Sequence, residues 1–291
     1  MTGSVESVLP LQATLGEGPV WVAREAALYC VDIKAHRVHR FDPATGEHRH
    51  WQAPAQVGWV LPADDGAMLA GLQGGVARFD PATGAFGDPL PPPGHRPTDR
   101  LNDAAVDPAG RIWFGSMDDG EAATTGRLFA WERGQVRDAG LPAVAITNGP
   151  AIAPDGRTLY HTDTAGGVIH AVPIRDDGTL GAPTVFATID PRDGYPDGAV
   201  CDAEGHVWSG LWGGWRARRY DPDGRVEREI RFPAGQVTKI AFGGPDLRTG
   251  YATTARKGLD AAALADQPQA GDLFAFDPGV AGLPGAVARI G

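Results

Sequence analysis

Residues 102–116 read NDAAVDPAGRIWFGS. A polar start leads into the small β-like run AAV, a DPAG turn reverses the chain, and RIWFG runs back. The pattern recurs in EGPVWVAREAALYCVD from Glu17, GWVLPADDGAMLAGL from Gly58, NGPAIAPDGRTLYHTD from Asn148, DGAVCDAEGHVWSGL from Asp197 and TKIAFGGPDLRTGYATT from Thr238. Aligned on their turns, the units follow at intervals of 41, 44, 46, 49 and 41 residues. Each has a third run (HRVHRF, GGVARF, GRLFAW, GVIHAV, ARRY, GDLFAF), and most lead through a turn to a fourth strand such as REIRF at Arg228–Phe232. The phrase FDPATG occurs at Phe41–Gly46 and again at Phe79–Gly84. Four short strands per ~44 residues is the pattern of a β-propeller blade. Six units predict an all-β, six-bladed β-propeller around a central channel, one domain over residues 1–291. Helical periodicity is confined to Leu259–Asp266. The segment SVESVLPLQ before Glu17 is expected to pair with the last blade, because an open sheet edge is a liability.

Composition agrees. The 41 Gly and 25 Pro mark a chain dense in turns, while 42% hydrophobic residues and 8 Trp argue that it folds. A net charge of −10 without a long basic run argues against nucleic acid or an anionic membrane as partner. No apolar stretch is long enough to span a bilayer. MTGSVESVLPLQ lacks a basic segment followed by an apolar core, so no secretory signal is read there. Cys30 and Cys201 are too few for a disulfide scaffold. A cytoplasmic monomer with reduced thiols is the expectation.

In a propeller the innermost strands run the same way along the channel, so residues at equal register form a ring. The starting residues give the ring Glu17, Gly58, Asn102, Asn148, Asp197 and Thr238. Side chains alternate with a period of two. Two positions on lies an apolar ring of Pro19, Val60, Ala104, Pro150, Ala199 and Ile240, expected to plug the channel floor. Two positions back lies a mouth of Leu15, Gln56, Arg100, Ile146, Tyr195 and Gln236. Two carboxylates on one buried ring repel, and a cation between them resolves the conflict. All-oxygen donors favour one divalent ion, with Ca²⁺, Mn²⁺ or Mg²⁺ ahead of Zn²⁺ or Fe²⁺.

Other polar groups have plainer readings. Asn148-Gly149 and Asp197-Gly198 are each common turn dipeptides, and only their shared register raises them above that. His36, His39, His48 and His50 fall on third and fourth strands, as a solvated face. Arg216, Arg218 and Arg219 read as a surface cluster. His161 and Asp163 are expected in a buried hydrogen-bond network. Asp118, Asp119 and Glu121 follow a strand and belong to a loop, solvated unless it returns to the mouth.

The motifs LGEGPVW, RLNDAAVDPAGRIWFGSMD, ITNGPAIAPDG, YPDGAVCDAEG and FGGPDLRTGYATTARKGL resemble the senescence marker protein/gluconolactonase (regucalcin-like) family, in family order over about residues 5–280. The resemblance implies a six-bladed propeller with one divalent metal in the channel and hydrolysis of sugar lactones. It implies metal ligation by Glu17, Asn148 and Asp197, with Asp197 also the catalytic base. Arg100 and Asn102 match residues that hold the substrate's oxygens. The acidic substrate contact falls in MDDGEA, with Asp119 and Glu121 as candidates, and Tyr195 joins them from the mouth. LWGGW and TTARKGL resemble bacterial aldonolactonases.

The expected activity is metal-dependent opening of an aldonolactone to the aldonic acid in oxidative sugar catabolism. The expected partner is the small-molecule lactone alone. Two other classes stay open at this point: a non-enzymatic, calcium-binding or regulatory propeller, and a hydrolase of non-sugar lactones or organophosphates on the same fold.

Overall fold

The turn within NDAAVDPAGRIWFGS is built on Asp107. Its Oδ1 accepts the backbone N–H groups of Ala109 (2.9 Å) and Arg111 (3.0 Å), which fixes the reversal. Its Oδ2 accepts the indole N–H of Trp113 at 2.9 Å, tying the turn to the returning strand. Asp202 repeats the device, accepting from Glu204 N (2.9 Å), His206 N (3.1 Å) and Trp208 Nε1 (2.9 Å). The acid that opens the turn thus seats the tryptophan that fills the core behind it.

A computed structural model of the chain describes residues 4–290. It contains six four-stranded antiparallel sheets, each in simple up-and-down order from the channel outward. The innermost strands of blades 1 to 6 are Gly16–Val22, Val57–Pro62, Asp99–Val106, Thr147–Ile152, Tyr195–Cys201 and Val237–Gly243. In blade 6 the outermost strand is Glu6–Leu9, antiparallel to Leu273–Phe276, so the segment before Glu17 does close the ring. The only α-helix among the described residues is Ala261–Asp266, capped by the Asp260 side chain accepting from Ala263 N. Among the described residues no helix is long and apolar enough to cross a membrane. Cys30 and Cys201 are buried and unpaired.

The register of all six innermost strands shifts at the height of the polar ring, for example between Glu17 and Val20, Leu101 and Ala104, and Val237 and Ile240. These bulges break the period of two. Consecutive side chains then turn toward the axis.

Several expectations need correction. The ring of Pro19, Val60, Ala104, Pro150, Ala199 and Ile240 does not plug the floor; it lines a cavity of about 420 Å³. Leu283–Ala286, in a terminal segment without blade pattern, line the same cavity. That segment is strapped across the lower loops, with Gly282 N on Leu247 O (2.8 Å), Ala203 N on Ala281 O (3.0 Å) and Ala288 N on Pro62 O (2.8 Å). Arg218 and Arg219 are buried rather than on the surface. Arg219 bridges Asp202 (2.8 Å), Glu204 (2.6 Å) and Glu227 (3.0 Å), because the turn carboxylate of Asp202 lies beneath its strand. His39 is buried too, its Nδ1 3.0 Å from His48 Nε2. Burial, with His48 and His50 beside it, pushes its pKa down to about 3. His161 is buried without the expected network: its Nε2 has no partner. Burial and the facing His170 push it down to about 4.

Asp202 is fully buried and answers both Arg219 and Trp208. Asp202→Ala strands a buried guanidinium and an indole N–H far from the channel, so unfolding by denaturant should show a loss of roughly 3–5 kcal/mol. A loss below about 1 kcal/mol, the scale of an exposed pair, would show that water replaces the carboxylate.

Candidate functional site

Glu17, Asn102, Asn148 and Asp197 come to the channel from blades 1, 3, 4 and 5, all buried. Glu17 Oε2 accepts from Gly18 N at 2.9 Å. Gly18 has φ +53°, and a side chain there would press on the Gly58 carbonyl, so glycine is what lets the carboxylate fold back onto its own backbone. Asn148 Nδ2 donates to Thr164 Oγ1 (2.9 Å), and its Oδ1 accepts from Asn102 Nδ2 (2.9 Å). Asn102 Nδ2 also reaches the Thr147 carbonyl (2.6 Å), and its Oδ1 accepts from Arg100 Nη1 (2.5 Å). A chain of hydrogen bonds therefore runs from Arg100 through both amides to Thr164. Thr238 departs from the expected ring: its hydroxyl donates to the Gly16 carbonyl (2.7 Å) and braces blade 6 to blade 1.

The electrostatics of the ring are those of uncompensated carboxylates. Burial raises the Glu17 pKa from its usual value near 4.5 to about 8, with Asp103 adding to the rise. Burial, then Glu17 and Asp103, push Asp197 well above the carboxylate range. Without a cation, burial disfavours the charged form of both acids.

At the mouth the loop after the strand Ile112–Asp118 returns over the channel. Asp119 is the acid that enters it, accepting from Lys34 Nζ (2.5 Å), Gln56 Nε2 (2.9 Å) and Arg100 Nε (3.0 Å). Partial burial works to raise its pKa, but Lys34, Gln56 and Arg100 outweigh that and hold it below the usual value. Asp118 instead shapes the loop, its Oδ2 accepting from Ala122 N at 3.0 Å. Glu121 pairs with Lys257 of blade 6, across the mouth. Tyr195 stands at the rim, 41% exposed, and donates no side-chain hydrogen bond to this cluster. Gln56 Oε1 and Gln236 Oε1 are buried and accept from no protein group.

Sequence reasoning missed six participants. Lys34 and Lys257 sit in loops whose return to the mouth no strand pattern marks. Thr164 fixes Asn148 from a turn. Trp212, in LWGGW, ends the second strand of blade 5 opposite Tyr195, and its half-buried ring packs against the cluster containing Leu15, Val57 and Leu72. Two more, Asp103 and Lys239, follow ring residues and face the axis through the bulges. Their buried ion pair is 2.5 Å long.

No three His, Cys, Asp or Glu side chains among the described residues form a metal-binding group by themselves. The ring reaches three oxygen donors through Glu17, Asp197 and the Asn148 amide. That hard donor set, with its two destabilised carboxylates, fits a divalent cation whose remaining positions are left to water or ligand.

The chain is similar over nearly its whole length to named proteins. It is 37% identical to a 6-deoxy-6-sulfogluconolactonase from Pseudomonas putida, covering 97% of each chain. It is 34% identical to a pentonolactonase from Haloferax volcanii, again over 97% of each. The crystal structure of a calcium-binding protein, regucalcin, from Agrobacterium tumefaciens superimposes with a TM-score of 0.93 at 29% identity, covering 99% of this chain and 98% of that one. Residues 15–256 match the model of the SMP-30/gluconolactonase/LRE-like region, and the chain belongs to that family.

Proposed function

We propose that the chain hydrolyses a sugar lactone, an aldonolactone of five or six carbons, to the aldonic acid, using one divalent cation held by Glu17, Asn148 and Asp197. The observation that carries this reading is the stacking of a carboxylate–amide ring beneath a mouth whose buried Gln56 and Gln236 oxygens lack donors. A polyol supplies such donors; an apolar lactone or an organophosphate triester does not. Relatives named as lactonases for a sulfonated gluconolactone and for pentonolactones support the same substrate class.

Glu17, Asn148 and Asp197 would hold the divalent cation, which when bound would supply electrophilic polarisation of the lactone carbonyl. Arg100, gripped by Asp119 and by Asn102, donates to substrate oxygen from a fixed position. Asp197 takes a proton from the water that attacks the carbonyl carbon. The ring C–O bond then breaks, and the proton passes to the departing oxygen, leaving a hydroxyl and a carboxylic acid that gives up its remaining proton to solvent. The Trp212 face receives the apolar side of the sugar.

Three measurements test this. The raised carboxyl pKa values mean that the metal-free fold holds protons that the unfolded chain releases. The stability that Glu17 contributes in this way is fully present at acid pH and is lost as pH rises from about 4.5 through about 8. The melting temperature of chelator-treated protein should therefore fall between pH 5 and 8. Calcium or manganese should raise it most at the alkaline end and restore lactone hydrolysis; a flat profile with metal-independent activity would refute the ring assignment.

Arg100→Ala removes a charge-assisted hydrogen bond and should lower kcat/KM by roughly 10- to 150-fold, about 1.5–3 kcal/mol, while calorimetry still finds the ion bound. Unchanged kcat/KM would place Arg100 outside the site. Asp197→Asn keeps a ligand oxygen but no base, and at saturating metal should lose about 10²- to 10⁴-fold in kcat. A near-native rate at full occupancy would make Asp197 a ligand only and pass the base role to another acid.

A further inference from the structure

One buried ion pair lies outside these roles. Lys239, on the innermost strand of blade 6, extends across the channel to Asp103 on the opposite blade 3. Its Nζ is 2.5 Å from Asp103 Oδ1 and 3.2 Å from the Ala104 carbonyl. The side chains are 7% and 1% exposed. Asp103 Oδ1 also accepts from Ala104 N (2.7 Å), whereas Asp103 Oδ2 is buried with no partner at all. The lysine stem runs over Gly198, where a Cβ would come within 2.6 Å of it. Gly198 follows Asp197, Asp103 follows Asn102 and Lys239 follows Thr238, so the pair sits directly against the ring, between it and the apolar cavity. A brace between two blades needs no charge in so dry a place, where an apolar pair of similar volume does as well or better. What an apolar pair cannot supply is a field on the ring.

We propose that Asp103 and Lys239 are positioning residues that set how tightly the ring binds a divalent cation, the Asp103 carboxylate strengthening binding and the Lys239 ammonium restraining it. This rests on the reading of the ring as a cation site. With both present, three carboxylates (Glu17, Asp103, Asp197) face two side-chain cations (Arg100, Lys239). Removing either partner of the couple changes the ring's field by a full charge at short range and low dielectric; removing both leaves the net charge as it was.

The test is calorimetric titration of the metal-stripped full chain with calcium, and with manganese, together with the thermal shift each ion produces. Asp103→Asn leaves the ammonium uncompensated and should weaken binding about 10-fold or more, on the scale of a unit charge within several ångströms at intermediate dielectric. Lys239→Met should tighten binding by a similar factor, and its thermal shift should grow. The double variant D103N/K239M should return to within about 3-fold of the native chain, and Lys239→Arg, which keeps the charge, should stay near native. If both single variants bind within 2-fold of native, or if Lys239→Arg changes affinity as much as Lys239→Met, the pair acts through shape and the proposal fails. Should a single variant not fold, the double and Arg variants decide by the same criterion. A native chain that binds neither ion overturns the cation reading itself, a result distinct from native binding that the variants leave untouched.

Discussion

Two like charges buried in one ring govern the arrangement around them. Burial in walls that give them little water raises the cost of ionising both Glu17 and Asp197, Glu17 adds to it at Asp197, and Asp103 adds to it at both. The propeller answers from several blades at once. Arg100 stands above, the amides of Asn102 and Asn148 beside, and Lys239 below with Asp103 as its counter-charge. That concentration of polar groups depends on the bulges. A strictly alternating innermost strand turns one of every two neighbours toward the next blade, and Asp103 and Lys239 then lie in an apolar interface.

The two ion pairs that join blades 3 and 6 differ in kind. Asp103–Lys239 is buried, and breaking it leaves a charge without water or partner, at a cost of several kcal/mol. Glu121–Lys257 crosses the mouth with both side chains about a third exposed, and such pairs contribute about 0–1 kcal/mol. The same two blades are therefore fixed beneath the ring and only lightly tied above it. A ligand arriving at the mouth meets contacts it can displace, over a base it cannot.

The blades were legible because each one spells its own turn. Asp107 and Asp202 head DPAGRIW and DAEGHVW, and the acid, the turn and the tryptophan are one hydrogen-bonded unit. Aligning on those turns put Glu17, Asn148 and Asp197 at one height without coordinates. The misses have equally local causes. ND at 102–103 and TK at 238–239 are paired polar residues at the start of strands, a sign of a broken alternation that a period of two conceals. Whether the Thr238 hydroxyl faces the axis or the Gly16 carbonyl is a choice of rotamer, which sequence does not state. Arg219 looked like a surface charge because its partner, Asp202, is 17 residues away in another turn. The strap at Leu283–Ala286 has no repeat to betray it.

The seam of the ring joins Glu6 and Ser7 to Ala275 and Phe274, nearly the full length of the chain apart. Five blades are hairpin stacks that complete themselves from neighbouring residues. The sixth cannot be finished until the strand at 273–276 exists, and the first strand must wait for it. Contacts so distant in sequence slow folding, since the chain must find them by diffusion rather than by zipping from a turn. In the interval the unfinished blades expose an open edge, the template for pairing with another chain. The seam is thus the stage at which nascent molecules are most exposed to mispairing.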